Sequence, residues 1–185
     1  MKLKEIQRLL STELKTQPNH NGTKLASVLV VIYGKEPKVL MTKKSEILQI
    51  HAGEISFPGG KWEKKDADLL TTALRETKEE IALEIKPEQI TGQLKPVRTL
   101  NSGFTITPFV AVVDELSNMQ SNFEVESILH IPLIPFLKTL NDDPDPNHNS
   151  IQEMYIFKFK EYTVWGATAR ILKQIADIFQ KNNLI

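Results

Sequence analysis

The chain contains 185 residues, 41% of them hydrophobic, which is enough apolar material to bury one sizeable core. We therefore expect a single domain over residues 1–185. Lysine plus arginine and aspartate plus glutamate each number 23, so the formal net charge is zero and no overall basic field favours a nucleic-acid partner. Cysteine is absent, which excludes disulfides, zinc thiolates and a thiol nucleophile.

The sequence also predicts a cytoplasmic protein with no membrane partner. Residues 1–6 include an acidic side chain and lack the apolar segment that marks a secretory signal. No uninterrupted apolar run approaches the length needed to span a bilayer. The absence of cysteine fits a reducing compartment.

An amphipathic helix is predicted at the start of the chain, over residues 1–16. Its apolar side chains recur at helical spacing, at Leu3, Ile6, Leu9, Leu10 and Leu14. We expect this helix to pack on the domain itself or, alternatively, on the second subunit of a homodimer.

The rest of the chain alternates between strand and helix patterns. Residues 25–33 are almost wholly apolar and rich in residues that favour β-strands, which predicts a central strand, and a turn at 34–37 leads into a second strand at 39–42. The later segments are strands near 90–99, 105–113 and 154–159 and a closing helix at 168–181. This order predicts an α/β (α+β) fold in which a mixed β-sheet lies between helices.

Another helix is predicted after a breaker cluster at 57–61. Asp66 or Asp68 can cap its N-terminus. Gly59 and Gly60, within the cluster, allow the backbone to approach a neighbour closely. The buried stripe of the helix consists of Leu69, Leu70, Ala73, Leu74, Thr77 and Ile81.

Three glutamates, Glu76, Glu79 and Glu80, lie beside this stripe at helical spacing. Like charges at such spacing destabilise an isolated helix by a few tenths of a kcal/mol per pair, so their clustering calls for a compensating cation. Ligands that are all oxygen suit a hard divalent ion such as Mg²⁺ or Mn²⁺. The alternative interpretation is a solvated acidic helix face.

The glycine cluster and the acidic helix together resemble the signature of the Nudix hydrolase family, a glycine loop followed by a helix carrying R-E-x-x-E-E. Two departures stand out: Ala82 replaces the usual glycine, and the acidic residue between glycine and arginine is displaced, to Asp66 and Asp68. The matching positions are Gly59, Gly60, Arg75, Glu76, Glu79, Glu80 and Leu83.

Within this family the chain is similar to the coenzyme A pyrophosphatase branch. The resemblance covers residues 24–172, and its segments are 40–45, 48–60, 102–109 and 164–172. Lys44 and Gln49 stand where that branch usually carries arginines. Arginine binds phosphate through a planar fork, whereas lysine offers a point charge and glutamine none.

The resemblance implies a Nudix fold with Mg²⁺ or Mn²⁺ held by the three glutamates and by a backbone carbonyl of the glycine loop, at Gly59 or Gly60. It implies that Arg75 pairs with a glutamate rather than with substrate. The general base is either a glutamate of the signature or Glu124, which lies in a region where such a residue often occurs. A surface role for Glu124 is the alternative.

Residues outside the signature are expected to contact a small-molecule nucleotide that resembles coenzyme A. Lys44 is expected to replace the missing arginine. His51 is expected to contact phosphate or to order its loop through a hydrogen bond. The turn formed by Ser102, Gly103 and Phe104 is expected to offer backbone donors or an aromatic surface to the adenine or the pantetheine arm, with core packing as the alternative for Phe104.

The activity implied is hydrolysis of the diphosphate of coenzyme A or acyl-coenzyme A, which yields 3′,5′-ADP and 4′-phosphopantetheine or its acyl form. Alternative substrates are ADP-ribose or a dinucleotide. A Nudix-fold protein that binds a nucleotide without hydrolysing it is a further alternative, although all three glutamates are intact. An isomerase of prenyl diphosphates would need a catalytic cysteine, which this chain lacks.

Overall fold

The computed structural model describes residues 3–19, 22–47, 52–145 and 154–185. The helices are α1 (Leu3–Leu10), α2 (Leu69–Ile81), α3 (Leu133–Leu137) and α4 (Gly166–Lys181), with a 3₁₀ turn at Pro87–Gln89. The first seven strands are β1 (Lys24–Tyr33), β2 (Lys38–Lys44), β3 (Ile55–Ser56), β4 (Gly59–Lys61), β5 (Ile90–Gln93), β6 (Val97–Arg98) and β7 (Phe104–Val113). The last four are β8 (Val125–Pro132), β9 (Asn141–Asp142), β10 (Tyr155–Phe159) and β11 (Tyr162–Val164).

β1 is the central strand of a mixed sheet, as its apolar composition predicts. It runs parallel to β7 over its whole length, from the pair Lys24 and Phe104 to the pair Tyr33 and Val113. On its other side it pairs antiparallel with β4 near its start and with β2 at its end. β8 extends the sheet beyond β2, and a smaller sheet consists of β9, β10 and β11.

The two faces of the large sheet are covered by different helices. Leu29 and Val31 of β1 face the cluster that contains α2, whereas the alternating Val30 and Ile32 face the cluster that contains α1, α3 and α4. The mixed sheet therefore lies between helices, and the predicted fold class is confirmed.

The N-terminal helix is shorter than the predicted 1–16, because it ends at Leu10. Beyond it, Thr12 Oγ1 donates to Gln93 O at 2.8 Å and accepts from Gln93 N at 2.7 Å, so the chain binds the edge of β5 instead of continuing the helix. Ile6 and Leu10 are buried in the core of their own chain. The helix thus packs on the domain, the first of the two predicted alternatives.

Two other predicted boundaries also change. The strand predicted near 90–99 is divided into β5 and β6, because Pro96 has no N–H to donate to a neighbouring strand. The closing helix begins at Gly166 rather than at 168. The predictions omitted β8 and α3, where buried and exposed side chains alternate irregularly, and the short strands β3, β4, β9 and β11.

Both ends of α2 have capping geometry. Asp68 is the N-cap, and its carboxylate accepts from Thr71 N at 2.8 Å. Ala82 is the C-cap in the left-handed conformation, with φ of 54°, and its N–H donates to Lys78 O at 2.9 Å. Glycine is the residue favoured in this conformation, so the departure at Ala82 leaves the helix end strained.

We therefore expect Ala82→Gly to raise the free energy of unfolding by about 0.5–1 kcal/mol, because the removed strain exceeds the added flexibility of the unfolded chain. Chemical denaturation followed by circular dichroism measures this change. Ala67→Gly is the matched control, since Ala67 is exposed and its φ is not positive. If the Ala82→Gly variant were no more stable than the Ala67→Gly variant, the left-handed conformation of Ala82 would not strain the helix end.

Candidate active site

Two glycines bring the short strand β4 against α2. Gly60 lies opposite Ser27 of β1. A Cβ atom on Gly60 would lie 2.4 Å from the carboxyl carbon of Glu76, and one on Gly59 would lie 2.3 Å from the Ser27 carbonyl oxygen. Gly59 therefore requires glycine, whereas a side chain at Gly60 would have to displace the Glu76 carboxylate, because the backbone of the loop passes directly beside it.

Arg75 is fixed by a buried carboxylate. Its Nε donates to Asp66 Oδ1 at 2.8 Å and its Nη2 donates to Asp66 Oδ2 at 2.9 Å, which is a bidentate pair. The Asp66 side chain is only 2% exposed. It also accepts hydrogen bonds from Thr72 Oγ1 at 2.9 Å and from Glu63 N at 3.1 Å. The guanidinium is therefore held in one orientation.

The same contacts determine the charge states of the pair. Hydrogen bonds from Arg75, followed by those from Glu63 N and Thr72, lower the pKa of Asp66 to about 2 although burial acts in the opposite direction. The hydrogen bonds to Asp66 raise the pKa of Arg75 above its usual range. Both groups therefore carry their charges at neutral pH.

Arg75 also contacts two of the three signature glutamates. Its Nη1 donates to Glu76 Oε1 at 2.9 Å and to Glu79 Oε2 at 3.0 Å. Burial raises the pKa of Glu76, and the neighbouring guanidinium opposes that effect. The side chain of Glu79 is 53% exposed, so it forms the solvent side of the acidic edge.

Glu80 is the buried member of the three. Its side chain is 3% exposed, and its Oε1 accepts a hydrogen bond from Lys44 Nζ at 2.5 Å. Its Oε2 has no hydrogen-bond partner among the described residues. Burial raises the pKa of Glu80, and the positive charge of Lys44 opposes that effect. Lys44, which we predicted as a substrate contact, thus lies on a signature carboxylate.

Glu124 is brought to the same place by the loop between β7 and β8. Its carboxylate Oε2 lies 3.8 Å from Lys44 Nζ. Asn122, two positions before it, is anchored because its backbone N donates to Glu80 O at 2.8 Å. The Glu124 carbonyl accepts from Ser45 N at 2.8 Å. The structure therefore groups Lys44, Glu80 and Glu124, although the two glutamates are 44 positions apart in sequence.

The donor set fits a hard divalent ion. Among the described residues no three His, Cys, Asp or Glu side chains are already arranged around a metal position, and Arg75 and Lys44 contact some of the carboxylate oxygens. Nevertheless Glu80 presents a buried oxygen to which no described residue donates a hydrogen bond, and the Glu76 carboxylate lies against the Gly60 backbone. Oxygen donors of this kind suit Mg²⁺ or Mn²⁺.

The Phe104 side chain, directly after the turn, lies on the face of the sheet opposite α2, because along β7 it alternates in step with Ile106 and Val110. Thr99 Oγ1 and Ser102 Oγ lie 2.7 Å apart, and Gly103 has a φ of 71°. The Phe104 ring is half-buried, and the ammonium groups of Lys24 and Lys61 lie 5.5 and 5.8 Å from its centroid. Two lysine ammonium groups therefore lie near the Phe104 ring at the start of β7.

Three site features are not apparent from the sequence alone. Asp66 was expected at most to cap α2, but it holds Arg75 instead. Lys24 and Lys61 carried no predicted role, because their approach to Phe104 depends on strand pairing between distant segments. The only sequence signal for Asp66 was its position as a displaced acidic residue.

His51 and Gln49 lie outside the described residues.

Comparison with known proteins agrees with this geometry. The model of the family described as "NUDIX domain" matches residues 23–175. The chain belongs to the Nudix family. Its assignment there makes it a pyrophosphatase-type hydrolase, a class that generally uses divalent metal ions.

A curated relative supports the family assignment, and solved structures share the fold. The chain is 33% identical over 169 residues to the uncharacterized Nudix hydrolase NudL of Klebsiella pneumoniae subsp. pneumoniae, and the match covers 88% of each chain. The MutT protein from Methanosarcina mazei Go1 superposes with a TM-score of 0.58 at 15% identity, over 92% of this chain and 99% of that one. The NUDIX domain of Shewanella oneidensis NrtR, complexed with ADP ribose, superposes with a TM-score of 0.50 at 23% identity, over 68% and 79%.

No helix in the described part of the chain is long and apolar enough to cross a membrane.

The Asp66–Arg75 pair should make stability depend on pH. The pKa of Asp66 falls from 3.8 to about 2 on folding, so the ionised carboxylate contributes about 2 kcal/mol above pH 4, and this contribution is lost as the pH falls through about 2. We expect Asp66→Asn to lower the free energy of unfolding most at neutral pH and least near pH 2, as measured by urea denaturation over a pH series.

Glu88→Gln is the control for this experiment, because Glu88 is an exposed carboxylate outside the site. A loss in the Asp66→Asn variant that stays constant from pH 7 to pH 2 would contradict the ionised pair.

Proposed function

We propose that this protein is a metal-dependent pyrophosphatase that cleaves the diphosphate of coenzyme A or acyl-coenzyme A. One water is consumed and one P–O bond of the bridge is broken, so the products are 3′,5′-ADP and 4′-phosphopantetheine or its acyl form. The observation that carries the proposal is the partly buried carboxylate of Glu76 beside the glycine loop, together with the buried carboxylate of Glu80 beside Lys44. Their oxygens and those of Glu79 would hold Mg²⁺ or Mn²⁺.

The chemistry of the site divides between charge neutralisation and proton transfer. A bound divalent ion supplies charge stabilisation for the diphosphate and lowers the pKa of a coordinated water. Arg75 keeps Glu76 and Glu79 oriented, because Asp66 fixes its guanidinium. Glu124, at 3.8 Å from Lys44 Nζ, is proposed as the group that accepts the proton of the attacking water, with a signature glutamate as the alternative.

The edge strand β4 links the diphosphate position to a nucleotide position. Gly60 faces α2, and because side chains alternate along a strand, Lys61 faces the opposite side of the sheet, where it lies over Phe104. A substrate that crosses this edge would place its diphosphate at Gly60 and its adenine on the Phe104 ring. Lys24 and Lys61 would then lie beside any phosphate on the ribose.

These two lysines support the choice of coenzyme A, whose ribose carries a 3′-phosphate. They supply positive charge beside the Phe104 ring, in addition to that of Lys44, in a chain that has Lys44 and Gln49 where the branch usually carries arginines. ADP-ribose is the second candidate, since the NrtR domain with this fold is complexed with it. ADP-ribose lacks the extra phosphate, so the two substrates test the lysines directly.

Product analysis by mass spectrometry tests the activity. Incubation with coenzyme A and Mg²⁺ or Mn²⁺ should give 3′,5′-ADP and 4′-phosphopantetheine, and Glu79→Gln should lower turnover by at least about a hundredfold with the fold intact, because a carboxylate ligand is lost. Glu84→Gln is the control, since Glu84 is exposed and pairs with Lys78 outside the signature.

Parallel incubations with ADP-ribose and a dinucleotide distinguish the alternatives. Cleavage of one of these instead of coenzyme A would overturn the substrate. Cleavage of none of the three would favour a protein that only binds nucleotides. A fully active Glu79→Gln variant would refute the assignment of Glu79 as a metal ligand.

The nucleotide position gives a further prediction. Phe104→Leu should raise the KM for coenzyme A by about tenfold and leave kcat nearly unchanged, because leucine removes the stacking surface but retains apolar volume. Phe159→Leu is the matched control: Phe159 also carries a lysine over its ring, at 5.4 Å, but belongs to the small sheet. Equal KM values for the two variants would exclude Phe104 from substrate binding.

A further inference from the structure

The two cations that contact the signature carboxylates are held in different ways. Arg75 is anchored from outside the acidic edge by the bidentate bond to Asp66. Lys44 has ion pairs only with Glu80, at 2.5 Å, and Glu124, at 3.8 Å, among the described residues. Arg75 is therefore a fixed part of the site, whereas no described contact outside the site retains the ammonium of Lys44.

Glu80 needs a counter-ion whenever it is ionised. Its side chain is 3% exposed, so water cannot solvate the charge, and the one hydrogen bond that the carboxylate accepts from the described residues comes from Lys44. The second oxygen, Oε2, is buried and has no partner within the described residues. An ion that bound both oxygens would therefore satisfy the carboxylate better than the single lysine contact does.

We propose that Lys44 is an internal counter-ion that a divalent metal displaces from Glu80. This inference rests on the proposed metal site. An ammonium and a hard divalent ion compete for the same carboxylate oxygens, and their like charges repel at contact distance. The displaced ammonium stays beside Glu124, where it can pair with that carboxylate or with a phosphate of the substrate.

The exchange suits lysine better than arginine. Lysine carries a compact charge on a flexible stem, so it can leave one carboxylate and reach another without a change in the backbone. An arginine at this position could bind both oxygens of Glu80 through its planar fork, which would make displacement harder. The identity of residue 44 thus sets the metal affinity of the resting protein.

Calorimetric titration with Mn²⁺, in the absence of substrate, tests the competition. Lys44→Met should lower the Kd for Mn²⁺ by about tenfold, since the competing charge is removed, and Lys44→Arg should raise it. Lys43→Met is the matched control, because the adjacent Lys43 pairs with Glu126 at 2.8 Å rather than with the signature. Its Kd should equal that of the wild type.

A second readout follows from the buried charge. Without metal, Lys44→Met should have a lower Tm than the wild type, because Glu80 loses its counter-ion, and saturating Mn²⁺ should raise its Tm more than that of the wild type. An unchanged or weaker Mn²⁺ affinity in Lys44→Met would overturn the proposal, because Lys44 would then be orienting the ligand instead of competing with the metal.

A crystal structure of the wild-type protein with Mn²⁺ keeps the test independent of any variant's folding. We expect Mn²⁺ on Glu80 and Lys44 Nζ beyond hydrogen-bond distance from it. Mn²⁺ on Glu80 with the Lys44 contact intact overturns this inference alone, and no Mn²⁺ at Glu80 overturns the metal site as well. Failure to cleave coenzyme A, with the exchange observed, would overturn only the proposed substrate.

Discussion

The close approach of β4 to α2 is the constraint on which the site depends. The backbone at Gly60 occupies space that any side chain would need to share with the Glu76 carboxylate. Strand pairing with β1 holds one partner of this contact, and packing of the buried face of α2 against the sheet holds the other. The acidic edge of the helix is therefore positioned by the core, and not by the flexibility of a loop.

Charge at this edge is balanced by two cations of different character. Asp66 anchors the guanidinium of Arg75 from outside the acidic edge. The free end of the guanidinium can therefore orient Glu76 and Glu79. Lys44 has no such outside partner among the described residues, and its ammonium forms ion pairs with Glu80 and Glu124. Arg75 thus fixes the orientation of the carboxylates, and Lys44 is the counter-ion that we propose a divalent metal displaces.

Much of the fold follows from local patterns in the sequence. The central strand, α2 and the closing helix are all long segments whose apolar spacing is unambiguous, and they occur where expected. The short strands and the end of α1 were not predicted correctly, since tertiary hydrogen bonds such as that of Thr12 with Gln93 determine them.

The candidate site also combines features that local sequence patterns predict with contacts that they do not. The spacing of Glu76, Glu79 and Glu80 places them on one helix edge, which a local pattern can predict. The partners of those carboxylates cannot be predicted in this way. Lys44 reaches Glu80 from another strand, and Asp66 reaches Arg75 from the loop before the helix. Such contacts depend on the assembled sheet, which no short window of sequence contains.

The pairing of β1 with β7 has a consequence for folding. Ser27 and Thr107, joined by a hydrogen bond across these strands, are 80 positions apart, so closing this contact requires the chain between them to form a long loop. That loop contains the glycine cluster and α2. A topology of high contact order is expected to fold slowly, and the site assembles only when its central contact has closed.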